Sequence, residues 1–196
     1  MKYDEVNTIV DSVLTEEEIK MIYSLVEKSN EGYLMELFNQ KISNFPLPED
    51  ISKKIISKCE ELSGESGLEI SEYQFSKYEK TTDENGKTRY PNLFPHFDDT
   101  FPEPRFTFDY QIGGNTTWPL VVEGSVFELK NNQALTFSGT HQIHWRVKKD
   151  FKDGERIDMI FFHLRKRGGD KKDPSVNETM NAKEGKFRKM YDQGNN

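Results

Sequence analysis

One triplet in this sequence, His96-Phe97-Asp98, carries two side chains that bind metal ions well. Residues i and i+2 of an extended segment point to the same side, so the imidazole and the carboxylate can converge on one ion. A third ligand from a distant strand would complete a set of two histidines and one carboxylate. Such a set leaves coordination positions open for the chemistry of iron(II) with dioxygen and a chelating cosubstrate. The triplet alone is a weak signal, because His-x-Asp also occurs in solvated loops.

The preferred third ligand is His144, which lies in a later predicted strand. His141 competes with it, and because residues three positions apart lie on opposite faces of a regular strand, one of the two should face away from the ion. The dipeptide Gly139-Thr140 indicates that the strand has only begun at His141, which favours His144. His163 stands in an apolar run and is predicted to be a structural histidine.

A dicarboxylate cosubstrate would need a cation to hold its far end. Arg156 begins the last strong strand-like run, and its guanidinium could bind a carboxylate by two hydrogen bonds. Arg146 lies two residues beyond His144 on the same strand face and is the alternative anchor. Asp99 and Arg105 are candidate loop residues near the ion that could help to select a substrate.

The pattern of apolar residues predicts the elements that must position these side chains. A helix is expected over 15–28, because Thr15 and Glu18 form a capping-box signature, and a second helix over 48–62, which Gly64 and Gly67 stop. A short strand or extended lead-in is expected over 6–14, and a polar loop or hairpin tip over 83–87 with Asn-Gly as its turn. Further short strands are predicted at 68–78, 106–112, 120–122, 125–129, 134–137, 143–147 and 156–164.

Two helices followed by many short strands indicate a mainly β (α+β) protein with a helical support. A jelly roll or sandwich fits this order, whereas a doubly wound parallel sheet does not, because helices do not alternate with the strands. We expect one domain over 1–167, with the helical support in about 1–66 and the strand-rich core in about 68–165. The very polar segment 168–196 is predicted to be a loose tail with a short helix near 187–191.

Composition excludes several classes of function. The chain has 196 residues, and its 34 acidic and 27 basic residues give a net charge of −7, which argues against broad binding to nucleic acid or anionic membranes. Cys59 is the single cysteine, so no intrachain disulfide can form, and it is predicted to be a small buried hydrophobe. No apolar run suggests a signal peptide or a membrane span, so we expect a soluble, cytoplasmic protein.

Four stretches resemble a known family. They are EYQFSKY at 72–78, PHFD at 95–98, NNQALTFSGT at 131–140 and HWR at 144–146. In this order and spacing, over about residues 70 to 165, the chain resembles the iron(II)/2-oxoglutarate-dependent dioxygenase superfamily, in its prolyl 4-hydroxylase-like branch. That family has a Gly-Asp-Ala-Leu turn before the strand of its distal histidine, and here Asn132-Gln133-Ala134-Leu135 takes its place.

The resemblance implies a double-stranded β-helix (jelly-roll) core and a set of site residues. It implies that His96, Asp98 and His144 ligate iron and that Tyr78 contacts the cosubstrate. It also implies that Arg156 anchors the far carboxylate of the cosubstrate, with Arg146 as runner-up. Prolyl hydroxylases usually carry a lysine at the anchor and other branches an arginine, so the substrate class stays open.

The activity implied by the resemblance is hydroxylation of a C–H bond, with Fe(2+) as metal, 2-oxoglutarate as cosubstrate and ascorbate as a candidate reductant. A peptidyl proline or another amino-acid side chain is the first expectation for the substrate, and a small molecule the second. Three alternatives remain: a non-catalytic jelly-roll binding module, a cupin-type metal enzyme that does not use 2-oxoglutarate, and a zinc hydrolase.

Overall fold

The structure is a computed structural model that describes residues 7–29, 32–98, 106–168 and 174–193. Asp99 and Arg105, which we expected near the ion, lie outside these ranges. Within them the helices are α1 (Glu16–Ser29), α2 (Glu49–Ser63) and α3 (Pro174–Gln193). The strands are β1 (Thr8–Asp11), β2 (Gly32–Met35), β3 (Gln40–Ser43), β4 (Leu68–Glu79), β5 (Thr81–Thr82), β6 (Thr88–Arg89), β7 (Phe106–Gly114), β8 (Leu120–Val122), β9 (Ser125–Phe127), β10 (Gln133–Phe137), β11 (His144–Arg146) and β12 (Arg156–Lys166).

The two predicted helices form where their end signals lie. At the start of α1, the Thr15 N–H donates to Glu18 Oε2 at 2.8 Å and the Glu18 N–H donates to Thr15 Oγ1 at 3.2 Å, which is the predicted capping box. Helix α2 ends at Gly64, which has a φ of +68° and donates its N–H to the Glu60 carbonyl at 2.9 Å. Cys59 is buried on the inner face of α2, as expected.

The strands form a large sheet and a small sheet, both antiparallel. The large sheet has seven strands in the order β1-β10-β7-β12-β4-β3-β2, and the small sheet has three in the order β11-β8-β9. Strands β5 and β6 make a separate hairpin around the predicted turn at 83–87. This pair of sheets confirms the mainly β fold with a jelly-roll core and supporting N-terminal helices.

The two faces of the large sheet bury different cores. One face packs against α1 and α2, and the other faces the small sheet. Strand β12 shows the alternation most clearly: Ile160 and Phe162 point to the helices, whereas Met159 and Phe161 point to the small sheet. The side of a strand on which a residue falls therefore decides whether it can reach the space between the sheets.

One hairpin was missed by the sequence analysis. Strands β2 and β3 pair with each other, and β3 pairs with β4, so β2 forms one edge of the large sheet. Most of β2 is exposed, and its run Gly32-Tyr33-Leu34-Met35 has no alternation of apolar and polar residues. These two strands form because tertiary structure places a pairing strand beside them, and not because their local sequence pattern favours a strand.

The prediction of a loose tail is wrong for Pro174–Gln193, which form α3. The predicted short helix near 187–191 lies inside this longer one. Few apolar residues mark α3, because a small number of side chains attach it to the domain: Phe187 packs on Trp145 with ring centroids 5.5 Å apart, and the Tyr191 hydroxyl donates to Asn92 Oδ1 at 2.9 Å. The proposed domain boundaries themselves stay a prediction.

No helix in the described part of the chain has the length and apolar character needed to cross a membrane.

Candidate metal centre

The segment that carries the His-x-Asp triplet is tied to the strand of the third ligand by backbone hydrogen bonds. The His96 N–H donates to the His144 carbonyl at 3.1 Å, and the His144 N–H donates to the His96 carbonyl at 3.0 Å. This reciprocal pair is an isolated antiparallel bridge, and it brings the two imidazole centroids to 4.3 Å. The Asp98 N–H donates to the Gly139 carbonyl at 2.8 Å, which holds the other end of the segment.

The side chains of His96, Asp98 and His144 converge, with one potential ligand atom from each within 4.8 Å of the others. Both Nε2 atoms approach the same carboxylate oxygen, Asp98 Oδ1, at 3.9 Å from His96 and 3.5 Å from His144. The structure therefore brings together the three residues predicted as ligands. His141 is outside this group, and its Nδ1 lies 2.9 Å from Thr140 Oγ1.

Backbone carbonyls orient both imidazoles. His96 Nδ1 lies 2.8 Å from the Phe94 carbonyl oxygen, and His144 Nδ1 lies 3.1 Å from the Gln142 carbonyl oxygen. A carbonyl oxygen only accepts hydrogen bonds, so each Nδ1 carries the hydrogen and donates. In the neutral ring the Nε2 lone pair is then available to a metal ion, which is the usual outer-shell arrangement of a metal-binding histidine.

The protonation states fit a divalent cation. Burial lowers the pKa of His96 to about 4, which keeps that imidazole neutral. Burial alone would raise the pKa of Asp98, but His144, His163 and His96 hold it well below its ordinary value, so the carboxylate is ionised. Burial also opposes protonation of His144, yet the Asp98 carboxylate offsets this and raises its pKa. Two nitrogen donors and one carboxylate are a suitable donor set for iron(II).

Asp98 sits in a tight pocket that requires a glycine opposite it. A Cβ added at Gly139 would overlap Asp98 Oδ2 and come within 2.6 Å of Thr107 Oγ1. The Gly139 N–H donates to Thr107 Oγ1 at 3.1 Å, and that hydroxyl in turn lies 3.4 Å from Asp98 Oδ2. These contacts restrict the carboxylate to one orientation.

His163 is closer to the centre than the sequence analysis suggested. Its Nδ1 lies 3.8 Å from Asp98 Oδ2 and 3.5 Å from Thr107 Oγ1, although it is not one of the three converging residues. The signal for this placement was available: His163 is two residues beyond Phe161, which points between the sheets, so strand alternation directs it to the same side.

Of the predicted cosubstrate residues, Tyr78 lies at the centre and Arg156 does not. Tyr78 is 1% exposed and lines the same cavity as the three converging residues. The expectation for Arg156 needs correction, because its side chain lies on the opposite face of the large sheet, in a cleft beside Tyr23 of α1. There its Nε lies 3.2 Å from Asp158 Oδ2. Side chains along β12 alternate between the two faces of the sheet. Odd-numbered residues such as Met159 and Phe161 point between the sheets, so the even-numbered Arg156 points to the other face.

Arg146, the alternative anchor, faces the space between the sheets. It is 1% exposed, its guanidinium lies 5.1 Å from the Trp118 ring centroid, and it donates to the Trp118 carbonyl and to Met159 Sδ. Its Nε has no hydrogen-bond partner, and no carboxylate in the described ranges lies within ion-pair distance of it. Asp109 acts on the guanidinium electrostatically but forms no ion pair with it, and a buried guanidinium without such a contact favours an incoming anion.

One polar residue of the cavity was missed. Asp109 lies on β7 between apolar cross-strand partners, Phe161 on β12 and Leu135 on β10, and is 3% exposed. Burial raises its pKa to about 7, while His144 and Arg146 act in the opposite direction. An aspartate inside the apolar run of β7 was the sequence signal for a buried functional carboxylate.

The three converging residues, Tyr78 and Asp109 line a cavity of about 460 Å3. A pocket of this size accommodates a small organic ligand. Its inner wall carries the three converging residues together with Tyr78 and Asp109. Its mouth lies between the β2–β3 hairpin, which contributes the exposed Tyr33 and Leu37, and α3, which contributes Glu184 and Arg188.

Known proteins resemble this chain in structure, whereas the sequence comparisons find no match. No protein-family model matches the chain, and no curated protein matches it. A 2OG-Fe(II) oxygenase family oxidoreductase from Burkholderia pseudomallei is similar in structure, with a TM-score of 0.61, 11% identity and coverage of 86% of this chain and 89% of that one.

Two further solved structures carry ligands. The epimerase SnoN of nogalamycin biosynthesis, in complex with Fe3+, alpha ketoglutarate and nogalamycin RO, has a TM-score of 0.62 and 11% identity over 86% of this chain and 82% of that one. A prolyl hydroxylase from Trichoplax adhaerens, in complex with a hypoxia inducible factor peptide fragment, has a TM-score of 0.53 and 12% identity over 83% and 85%. The chain therefore has the double-stranded β-helix fold of the 2-oxoglutarate- and iron(II)-dependent oxygenases, prolyl hydroxylases among them.

Proposed function

We propose that this protein is an iron(II)- and 2-oxoglutarate-dependent oxygenase that hydroxylates a C–H bond. The observation that carries the proposal is the convergence of His96, Asp98 and His144 in a buried cavity, with both Nε2 atoms directed at one carboxylate oxygen. The fold supports the same class of activity.

The three converging residues would hold the metal. When bound, iron(II) and 2-oxoglutarate together supply the oxidation of a C–H bond by dioxygen, with succinate and carbon dioxide as the other products. The chain contributes the geometry. The carbonyls of Phe94 and Gln142 keep Nε2 of each imidazole free, and the proton that Asp98 favours on His144 has to leave when a metal binds.

Arg146 would hold the far carboxylate of 2-oxoglutarate in place of Arg156. Its guanidinium is buried, no carboxylate in the described part of the chain forms an ion pair with it, and its Nε has no hydrogen-bond partner. Tyr78 lies in electrostatic range of Arg146 and can donate its hydroxyl hydrogen, because burial raises its pKa and keeps it protonated. A guanidinium binds a carboxylate by charge-assisted hydrogen bonds, and the phenol can add a further donor.

The remaining cavity surface would exclude water from the reacting atoms. The His144 ring packs against Phe137 with centroids 4.8 Å apart, and the His96 ring lies 5.5 Å from that of Phe38. Apolar walls strengthen the charge interactions inside the cavity and limit side reactions.

We propose a protein or peptide side chain as the substrate, with a small molecule as the alternative. The cavity opens beside the exposed apolar side chains of Tyr33 and Leu37, which suits a substrate with an apolar group next to the oxidised carbon. Within the fold, the Trichoplax adhaerens protein is bound to a peptide and SnoN to nogalamycin RO, so both classes have precedent. The net charge of −7 argues against a nucleic-acid substrate.

The test is succinate formation by the purified protein under air with iron(II), ascorbate and 2-oxoglutarate. Two alanine variants make a matched pair: His144→Ala removes a converging imidazole, and His141→Ala removes an imidazole three residues away that lies outside the group. We expect slow succinate formation by the wild type and by His141→Ala, and none by His144→Ala. Absence of succinate, together with no binding of iron(II) and 2-oxoglutarate by calorimetry, would instead favour a jelly-roll binding module.

A further inference from the structure

The C-terminal helix α3 packs beside the metal centre, on residues that adjoin the converging ones in the sequence. Phe97 lies between His96 and Asp98, and Ile143 precedes His144. Both side chains are buried, and Phe97 also lines the cavity. They form a small buried cluster of their own, and Trp145 and Phe187 of α3 pack against it.

Arg188 of α3 holds the backbone just before His96. Its Nε donates to the Pro95 carbonyl at 3.2 Å, and its guanidinium lies 4.2 Å from the centroid of the Phe94 ring. Glu184, one turn earlier on α3, orients the guanidinium through an ion pair of 2.6 Å. The Phe94 carbonyl is itself the acceptor of the His96 Nδ1 hydrogen. Arg188 thus fixes both residues that precede this ligand and determine its direction.

The same helix also holds the strand of the third ligand. Lys183 forms an ion pair of 2.7 Å with Glu123 Oε1, and that oxygen accepts the Ile143 N–H at 2.8 Å. The Tyr191 hydroxyl lies 3.3 Å from the Arg146 carbonyl oxygen. Helix α3 therefore contacts the polypeptide next to each converging histidine.

The segment of His96 needs such a support, because it is not part of a regular strand. Among the described residues, the segment 92–98 makes two backbone bonds besides the bridge to His144 and the bond from Asp98 to Gly139. They run from the Asn92 N–H to the Phe38 carbonyl and from the Arg146 N–H to the Leu93 carbonyl. The carbonyl of Pro95 accepts a hydrogen bond from Arg188. A ligand on such a segment is placed by its outer contacts more than by sheet geometry.

We propose that Arg188 is a positioning residue for the metal centre and directs His96 at the ion without touching it. The proposal rests on the proposed function only in needing a divalent ion at His96, Asp98 and His144. It assigns a role to the polar C-terminal segment that neither composition nor periodicity indicates.

The experiment measures binding of Co(II) alone to the full chain, by titration calorimetry and by the visible spectrum at saturating metal. Loss of an outer contact to a metal ligand typically costs about 10- to 100-fold in affinity. We expect Arg188→Ala to weaken Co(II) binding by about tenfold and to change the spectrum, which reports ligand geometry and would not respond to a general loss of stability. Arg188→Lys, which can still donate one hydrogen bond to Pro95, should give an intermediate affinity.

Lys189→Ala is the matched control, because Lys189 is the exposed neighbour on the same helix, and its side chain forms no hydrogen bond or ion pair with the described segment 92–98. It should leave affinity and spectrum as in the wild type. An Arg188→Ala protein with Co(II) affinity within twofold of the wild type and an unchanged spectrum would overturn the positioning role. A wild type that binds no divalent ion would overturn the proposed function itself, and the two failures are therefore distinct.

Discussion

Asp98 and Gly139 fit together closely enough that neither can change independently. The Asp98 N–H donates to the Gly139 carbonyl at 2.8 Å, and a Cβ at Gly139 would overlap the Oδ2 atom of the same aspartate. The backbone of Gly139 is not in the left-handed region, so the glycine is needed for space and not for conformation. The loop before β11 thus shapes the ligand that comes from a different segment.

Gly139→Ala should therefore abolish metal binding while the fold survives. The added methyl group displaces the Asp98 carboxylate from the point where the two imidazoles converge, and overpacking of this kind costs roughly 1–3 kcal/mol of stability. Calorimetry with Mn(II) and thermal unfolding would separate the two effects. Gly185→Ala is the control, because a Cβ there meets no atom within 4 Å. Normal Mn(II) binding by Gly139→Ala would show that Asp98 is not a ligand.

Binding of 2-oxoglutarate to variants can show whether Arg146 or Arg156 holds its far carboxylate. Arg146→Gln removes the charge that would hold the far carboxylate, and a hydrogen bond to a charged group is worth about 1.5–3 kcal/mol. We expect the Kd for 2-oxoglutarate, measured with Mn(II) present, to rise at least tenfold. Arg156→Gln should leave it unchanged, since Arg156 lies on the opposite sheet face with Asp158. The reverse pattern would restore Arg156 as the anchor.

The stability of the metal-free protein should depend on pH through Asp109. Burial raises its pKa from 3.8 to about 7, so the folded state holds a proton that the unfolded chain releases. The contribution of protonated Asp109 to the free energy of unfolding is fully present below about pH 4 and is lost as the pH rises through about 7. His144, Arg146 and Asp98 are the charged groups that act on it.

Asp109→Asn keeps the shape of the side chain and removes its ionisation. We expect this variant to exceed the wild type in free energy of unfolding at pH 8, by on the order of a few kcal/mol, and to lose that advantage at pH 4. Urea unfolding at both pH values measures the difference. A difference that does not change between pH 4 and pH 8 would mean that Asp109 does not carry the raised pKa.

Much of the fold is readable along the chain because its signals are local. The capping box at Thr15 and Glu18, the stop at Gly64 and the turn around Gly86 each depend on a few neighbouring residues, and each element forms where predicted. Hairpin β2–β3 and helix α3 lack such signals, because β2 lies at a sheet edge and α3 attaches through scattered side chains such as Phe187 and Arg188.

Residue type and spacing are enough to identify the candidates for the centre: a histidine two positions from an aspartate, and a second histidine in a later strand. Tertiary structure decided which of the other candidates join them. Arg156 and Arg146 are equally good anchors by chemistry, but the alternation of side chains along β12 turns Arg156 toward α1, while β11 turns Arg146 toward the space between the sheets. Side-chain direction in a strand alternates with every residue, so the pairing of strands across the fold, which no local pattern specifies, decides the face on which a charge lies.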